Sequence, residues 1–205
     1  MIGPKSVSTL IAVLIVAAGC AGGGTPVVYY TLQPAASVQA LPDSISAEIG
    51  IGPVLLPDYL DRSALVTRIS PNQLHIHQGH HWAGSLRDDI LRIITTNLKS
   101  ACPGVTILPH PWAAGDLPAV RFRLSILAFE GRPGGEVDLN VVWNVEDMRT
   151  GQAPLRRETH VRSSVKGDDL EAYTAAMGRA LAGLTQEMAR DIAALAGESS
   201  NESTE

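Results

Sequence analysis

The stretch 170–195 constrains this chain most. Leu170, Tyr173, Met177, Leu181, Leu184, Met188, Ile192 and Leu195 recur at spacings of three and four. That spacing puts them on one face of a helix of about seven turns. So long an apolar stripe needs an apolar surface to cover it. Alanines and Gly183 interrupt any strict heptad, which favours packing on a sheet over a coiled-coil seam. Asp168 followed by Glu171 fits a capping box at the start of the helix.

The sheet is legible upstream. Val120, Phe122, Leu124 and Ile126 alternate with Arg121, Arg123 and Ser125. Beyond the turn Arg132-Pro133-Gly134-Gly135, Val137, Leu139, Val141, Trp143 and Val145 repeat the period of two, and 155–165 follows a loop with Gly151. These segments predict an antiparallel meander. Earlier, Ile45, Ala47, Ile49 and Ile51 alternate with Ser46, Glu48 and Gly50, in a strand that stops at Pro57. Segments 64–69 and 73–77 flank the turn Ser70-Pro71-Asn72 as a hairpin, and 105–108 reads as a short strand before a proline-rich loop. From Ser85 to Leu98 the apolar residues Leu86, Ile90, Ile93, Ile94 and Leu98 share one helical face. Ser85 with Asp88 fits its cap, and Asp88, Asp89 and Lys99 suit its dipole. The expectation is α/β: a single domain over 45–196, with a mixed β-sheet, an antiparallel meander and two main helices. At 205 residues and 45% hydrophobic, the chain can bury one sizeable core and hardly two.

The N-terminus carries an export signal. Lys5 precedes an apolar run from Leu10 to Ala18 that is too short to span a bilayer in a mature protein, so residues 1–19 read as a leader. Ala17-Ala18-Gly19-Cys20 resembles a bacterial lipobox, in which Cys20 would be lipidated and become the first residue. The alternative is an ordinary cleaved signal peptide with an incidental cysteine. Residues 20–44, with Gly22-Gly23-Gly24, Pro26, Pro34 and Pro42, read as an anchor and tether holding one short strand at 27–32. With Cys20 lipidated, Cys102 has no disulfide partner and is expected to be a small buried hydrophobe. Residues 197–205, GESSNESTE, read as a disordered polar tail.

Charge excludes one class of function. Lys and Arg number 16 against 21 Asp and Glu, scattered along the chain, so there is no electrostatic footprint for nucleic acid. Loss of the leader removes only Lys5 and leaves 15 basic residues against 21, an acidic body that should stand off an anionic membrane.

No catalytic set is apparent. His75, His77, His80 and His81 are the one eye-catching cluster, and a His-x-His pair on a strand puts both rings on one face, as zinc ligands require. With no cysteine and no HExxH partner, the cluster is expected to be structural or solvated, with neither metal nor cofactor. There is no GxSxG, and Ser85 is better explained as a helix cap than as a nucleophile. Gly131 to Gly135 lacks the P-loop lysine and joins two strands, so it is a hairpin turn.

The block from Gly52 to Ile90 is different in kind. Leu56-Pro57-Asp58-Tyr59-Leu60-Asp61-Arg62 puts three charges, Asp58, Asp61 and Arg62, into one turn, where folding alone seldom demands so many. A local ion pair of Asp58 or Asp61 with Arg62 is the bland account of them. Tyr59 and Trp82 stand at loop ends, where an aromatic either plugs the core edge or meets a partner, the plug being preferred. The candidate partner-contact set is therefore Asp58, Tyr59, Asp61, Arg62 and Trp82.

The LPDYLDR strand end, the ALVTR strand, the LHIHQGHHWAGSL connection, the helix closing at NLKSACPG and Tyr29-Tyr30-Thr31-Leu32 together resemble the PqiC/YmbA family of ABC-type transport auxiliary lipoproteins. That resemblance implies a non-enzymatic accessory or docking component of an MCE-type ABC system for phospholipids or other hydrophobic molecules. It implies MCE-domain and ABC transporter partners, and leaves room for a homo-oligomer. Ala21 after the cysteine, by the sorting rule for such lipoproteins, implies the periplasmic face of the outer membrane. The competing expectation is a free-standing periplasmic lipoprotein that itself binds a lipid or other ligand in an apolar pocket.

Overall fold

Alternation and helical periodicity are realised as eight strands and two helices in a computed structural model, which describes residues 26–34, 38–40, 47–113, 115–153 and 155–202. The leader, Cys20 and most of the tether lie outside the described residues. The elements are β1 (Val28–Tyr30), β2 (Ala47–Leu55), β3 (Ala64–Ser70), β4 (Gln73–Trp82), α1 (Leu86–Ala101), β5 (Val105–Pro109), β6 (Val120–Gly131), β7 (Glu136–Asp147), β8 (Leu155–Ser164) and α2 (Leu170–Glu202). This is the expected mixed α/β domain with its meander and two helices. Its strands, however, divide between two sheets, one ordered β5-β2-β6-β7-β8 and one ordered β1-β4-β3. In the larger sheet β2 runs parallel to β5 and β6, and β6, β7 and β8 are the antiparallel meander. The turn after Pro57 takes the chain off this sheet, so the β3-β4 hairpin pairs with β1 instead.

Both helices pack on the large sheet, whose alternation supplies the apolar face that the long stripe needs. Ile90, Ile93, Ile94 and Leu98 of α1, and Tyr173, Met177, Leu181, Leu184, Met188 and Ile192 of α2, join Phe122, Leu124, Leu139, Val141 and Trp143 in one buried cluster. Cys102 is buried as expected, and burial pushes its thiol pKa up.

The helix starts test the capping expectations. Ser85 Oγ accepts from the Asp88 amide at 3.4 Å, so α1 is capped as its sequence reads. For α2 the cap is one place later: the Ala172 amide donates to Asp169 Oδ1 at 2.7 Å, which leaves Asp168 against Gly134 of the β6-β7 turn. At its other end α2 continues to Glu202, into the stretch expected to be a polar tail.

Close approach explains two glycines of α2. A methyl group at Gly178 would lie 2.7 Å from the Gln33 carbonyl oxygen, and one at Gly183 would lie 2.8 Å from Val161 Cγ1. The segment after β1 thus crosses both helices. The Leu32 amide donates to Asp89 Oδ2 at 3.1 Å, Arg92 Nη2 donates to the Leu32 carbonyl at 2.7 Å, and the Gln39 amide donates to Gln186 Oε1 at 3.0 Å. Farther along α2, buried Asp191 accepts from Trp143 Nε1 at 3.2 Å and from Arg157 Nε at 2.8 Å, so its charge is compensated.

Candidate functional site

Pro57 ends β2's path, and its carbonyl then accepts from the amides of Leu60 at 2.9 Å and Asp61 at 3.2 Å. The chain therefore closes one tight turn over 57–61. Leu60, 3% exposed, pins that turn into the core. Asp58, Asp61 and Arg62 are exposed on its outside. Asp61 pairs with Arg87 of α1 at 2.5 Å, so the expected local pair with Arg62 is not the one formed; α1 brings a better-placed guanidinium from 26 residues away. Among the described residues the side chains of Asp58 and Arg62 have no hydrogen-bond or ion-pair partner. The Trp82 amide donates to the Ser63 carbonyl at 2.7 Å. Two parts of the sequence, the LPDYLDR turn and the Trp82-to-Arg87 helix entry, thus meet side by side.

The two aromatic rings of the candidate set face inward. Trp82 is 5% exposed, and half-buried Tyr59 donates its hydroxyl to Glu130 Oε2 at 2.7 Å. Glu130 itself is 4% exposed and also accepts from Arg68 Nε at 3.0 Å, Arg68 Nη2 at 2.5 Å and the Phe129 amide at 2.8 Å. Burial, and then the bond to Glu130, push the Tyr59 phenol pKa up, so the hydroxyl stays a donor. This network ties the charged turn to β3 and β6. Sequence reasoning missed Glu130 and Arg68. The available signal was the break in alternation at Leu127-Ala128, where β6 shifts register against β7 between Ile126 and Ala128 and re-aims the residues that follow.

The histidines gather on β4. The His75 and His77 rings stack with centroids 4.2 Å apart, and His77 meets His80 edge-on at 5.9 Å. His77 Nε2 bonds Thr67 Oγ1 at 2.9 Å, and His80 Nδ1 bonds the Tyr30 hydroxyl at 2.9 Å. Burial, then the neighbouring His75 and His80, hold the His77 pKa below its ordinary value. Among the described residues no group of three or more His, Cys, Asp or Glu is placed to hold a metal ion.

Three surface clefts stand out among the described residues. One of about 350 Å³ lies between Arg68, Pro71, Arg132 and Glu136. A second, of about 420 Å³, separates β1 from the start of α2. The third, of about 460 Å³, runs between Leu91, Arg92 and Thr95 of α1 and Pro109, His110 and Pro111. No described helix is long and apolar enough to cross a membrane.

Comparison with known proteins follows this geometry. The sequence profile of the ABC-type transport auxiliary lipoprotein component family matches residues 30–189, from the last residue of β1 through most of α2. No curated protein matches the chain. A solved structure of a Xanthomonas campestris protein of the DUF330 family is similar with a TM-score of 0.70 at 14% identity, covering 85% of this chain and 99% of that one. A crystal structure of an uncharacterized protein is similar with a TM-score of 0.68 at 21% identity, covering 82% of this chain and 99% of the other. At such identities these likenesses establish the fold.

Proposed function

The chain belongs to the family of ABC-type transport auxiliary lipoprotein components, and from that premise we propose that it is a docking component of an MCE-type transport system. In this proposal a lipid on Cys20 holds it at the periplasmic face of the outer membrane. It serves the passage of phospholipid or other hydrophobic molecules across the periplasm without itself catalysing a reaction. The observation that carries the proposal is the turn at 57–62. Its backbone is anchored from beneath by Leu60 and by the Tyr59-Glu130-Arg68 network, an arrangement that holds three charged side chains out toward a partner. Asp58, Asp61 and Arg62 meet the MCE-domain protein directly; Tyr59 and Trp82 form the floor on which they stand.

The experiment is Asp61→Ala combined with Arg62→Ala. The exposed Asp61-Arg87 pair is worth about 0–1 kcal/mol, so the double variant should melt within a few degrees of the parent and reach the membrane fraction. It should no longer copurify with the MCE-domain protein. A folded double variant that retains its partner and supports envelope integrity takes the turn out of the interface.

The cleft between α1 and residues 109–111 favours a second reading, a lipoprotein that itself binds an apolar ligand. Mass spectrometry of lipids retained by the purified protein separates the two: a stoichiometric lipid supports the carrier, and its absence supports the docking component.

A further inference from the structure

β1 and the residue before it leave three consecutive apolar side chains in water: Val27 is 50% exposed, Val28 41% and Tyr29 66%. Scattered exposed apolar residues are ordinary. These three are contiguous, and they lie on the edge strand of the small sheet. Because successive strand residues point to opposite sides, Val28 and Tyr29 project on both sides of that edge, giving it the form of a wedge. Tyr29 lies against His81 with ring centroids 6.1 Å apart, so one flank of the ring is supported and the rest is free.

The position of this wedge along the chain identifies what covers it. Seven residue steps separate Cys20 from Val27. Fully extended, they reach roughly 25 Å. An acyl group on Cys20 fixes that residue at the headgroup level, so β1 is the described element nearest to the bilayer along the chain. Tyrosine is the residue type that settles at such a boundary, with its ring against acyl chains and its hydroxyl among the headgroups. We propose that Val27, Val28 and Tyr29 form a membrane-contact edge that sets the orientation of the domain on the bilayer. The proposal rests on the reading of Cys20 as acylated.

The surrounding charge narrows the lipid class. Glu171 lines the cleft beside Val28 and Tyr29, and Asp169 and Glu171 both act on the neighbouring Tyr30 phenol. Carboxylates at this edge repel an anionic surface, so a zwitterionic headgroup layer is the matching one. A second copy of the chain, adding a strand to the free side of β1, is the competing occupant.

The test uses the full lipoprotein purified from membranes and reconstituted into phosphatidylcholine vesicles that contain a nitroxide-bearing lipid. Tyr29→Cys carries an environment-sensitive fluorophore, and Gln152→Cys, on the β7-β8 turn beyond the Trp143-Asp191 contact, carries the same label as a control. The parent chain, whose Cys102 is 3% exposed, serves as the labelling blank. The label at position 29 should be quenched several-fold more than the label at 152, and less so in phosphatidylglycerol vesicles. Equal quenching at the two positions overturns the proposal. So does a Tyr29→Cys disulfide dimer without lipid quenching, which assigns the edge to a second copy. The mass of the N-terminal peptide separates the two levels: a bare Cys20 overturns anchor and edge together, whereas equal quenching on an acylated chain overturns the edge alone.

Discussion

Glu130, 4% exposed, has its carboxylate out of reach of bulk water, so its charge is stabilised by the donors around it: Tyr59, Arg68 and the Phe129 amide. Removing the carboxylate takes away the counter-charge of Arg68, leaving its guanidinium the Pro71 carbonyl at 2.9 Å, and frees the Tyr59 hydroxyl at once. Glu130→Ala should cost about 3 kcal/mol, the lower end for a broken buried pair, because Arg68 keeps 34% of its side-chain exposure. Tyr59→Phe removes one bond to a charged acceptor and should cost about 1.5 kcal/mol. Urea denaturation measures both. If the docking turn rests on this network, both variants also weaken partner copurification. His77 makes a prediction of opposite character. Its burial, with His75 and His80 beside it, depresses its pKa below the ordinary 6.5, so near that pH the unfolded chain binds a proton that the folded chain resists. The associated stability is complete above 6.5 and declines as pH falls below it. Denaturation midpoints should therefore drop between about pH 7 and pH 5, and His77→Gln should flatten that drop. An unchanged slope in the variant assigns the effect elsewhere.

The two glycines of α2 separate helix propensity from packing. Alanine in place of either gains about 1 kcal/mol of propensity. At Gly183 the new methyl meets a γ-methyl of Val161, a stiff β-branched side chain on a neighbouring strand whose adjustment offsets the propensity gain, so Gly183→Ala should leave the melting temperature close to the parent's. At Gly178 it meets the Gln33 carbonyl oxygen, part of a backbone segment tied to α1 through Leu32. Overpacking there costs about 1–3 kcal/mol, so Gly178→Ala should lower the melting temperature. Equal melting temperatures for the two variants would contradict this account. The same contrast runs through the caps. Ser85 satisfies a donor within its own turn and was identifiable from neighbouring residues, whereas the spacing to Glu171 points to Asp168 and yet Asp169 caps α2, with Asp168 against Gly134 of the β6-β7 turn.

For the whole molecule the anchor is the decisive expectation. Cys20→Ser should give an unprocessed or soluble protein, scored by membrane fractionation and by the mass of the N-terminus. A serine variant that still partitions through an N-terminal lipid overturns the assignment. Hydrophobic patterning specifies the class of element nearly everywhere, because period two and period 3.6 are local consequences of one buried face. The meander and both helices follow from it, whereas the α1 cap was legible in the Ser85 hydroxyl three residues before Asp88 and the burial of Cys102 in the apolar character of an unpaired thiol. That β3 and β4 leave the main sheet to join β1 is set by packing in three dimensions, since strand partners are chosen by long-range pairing that leaves no mark on either strand. The same packing pairs Asp61 with Arg87 and not with Arg62, and turns Tyr59 inward to a carboxylate 71 residues away. A charge takes the best-placed counter-charge in space, and a hydroxyl takes the nearest acceptor that water cannot reach; the order of residues along the chain specifies neither.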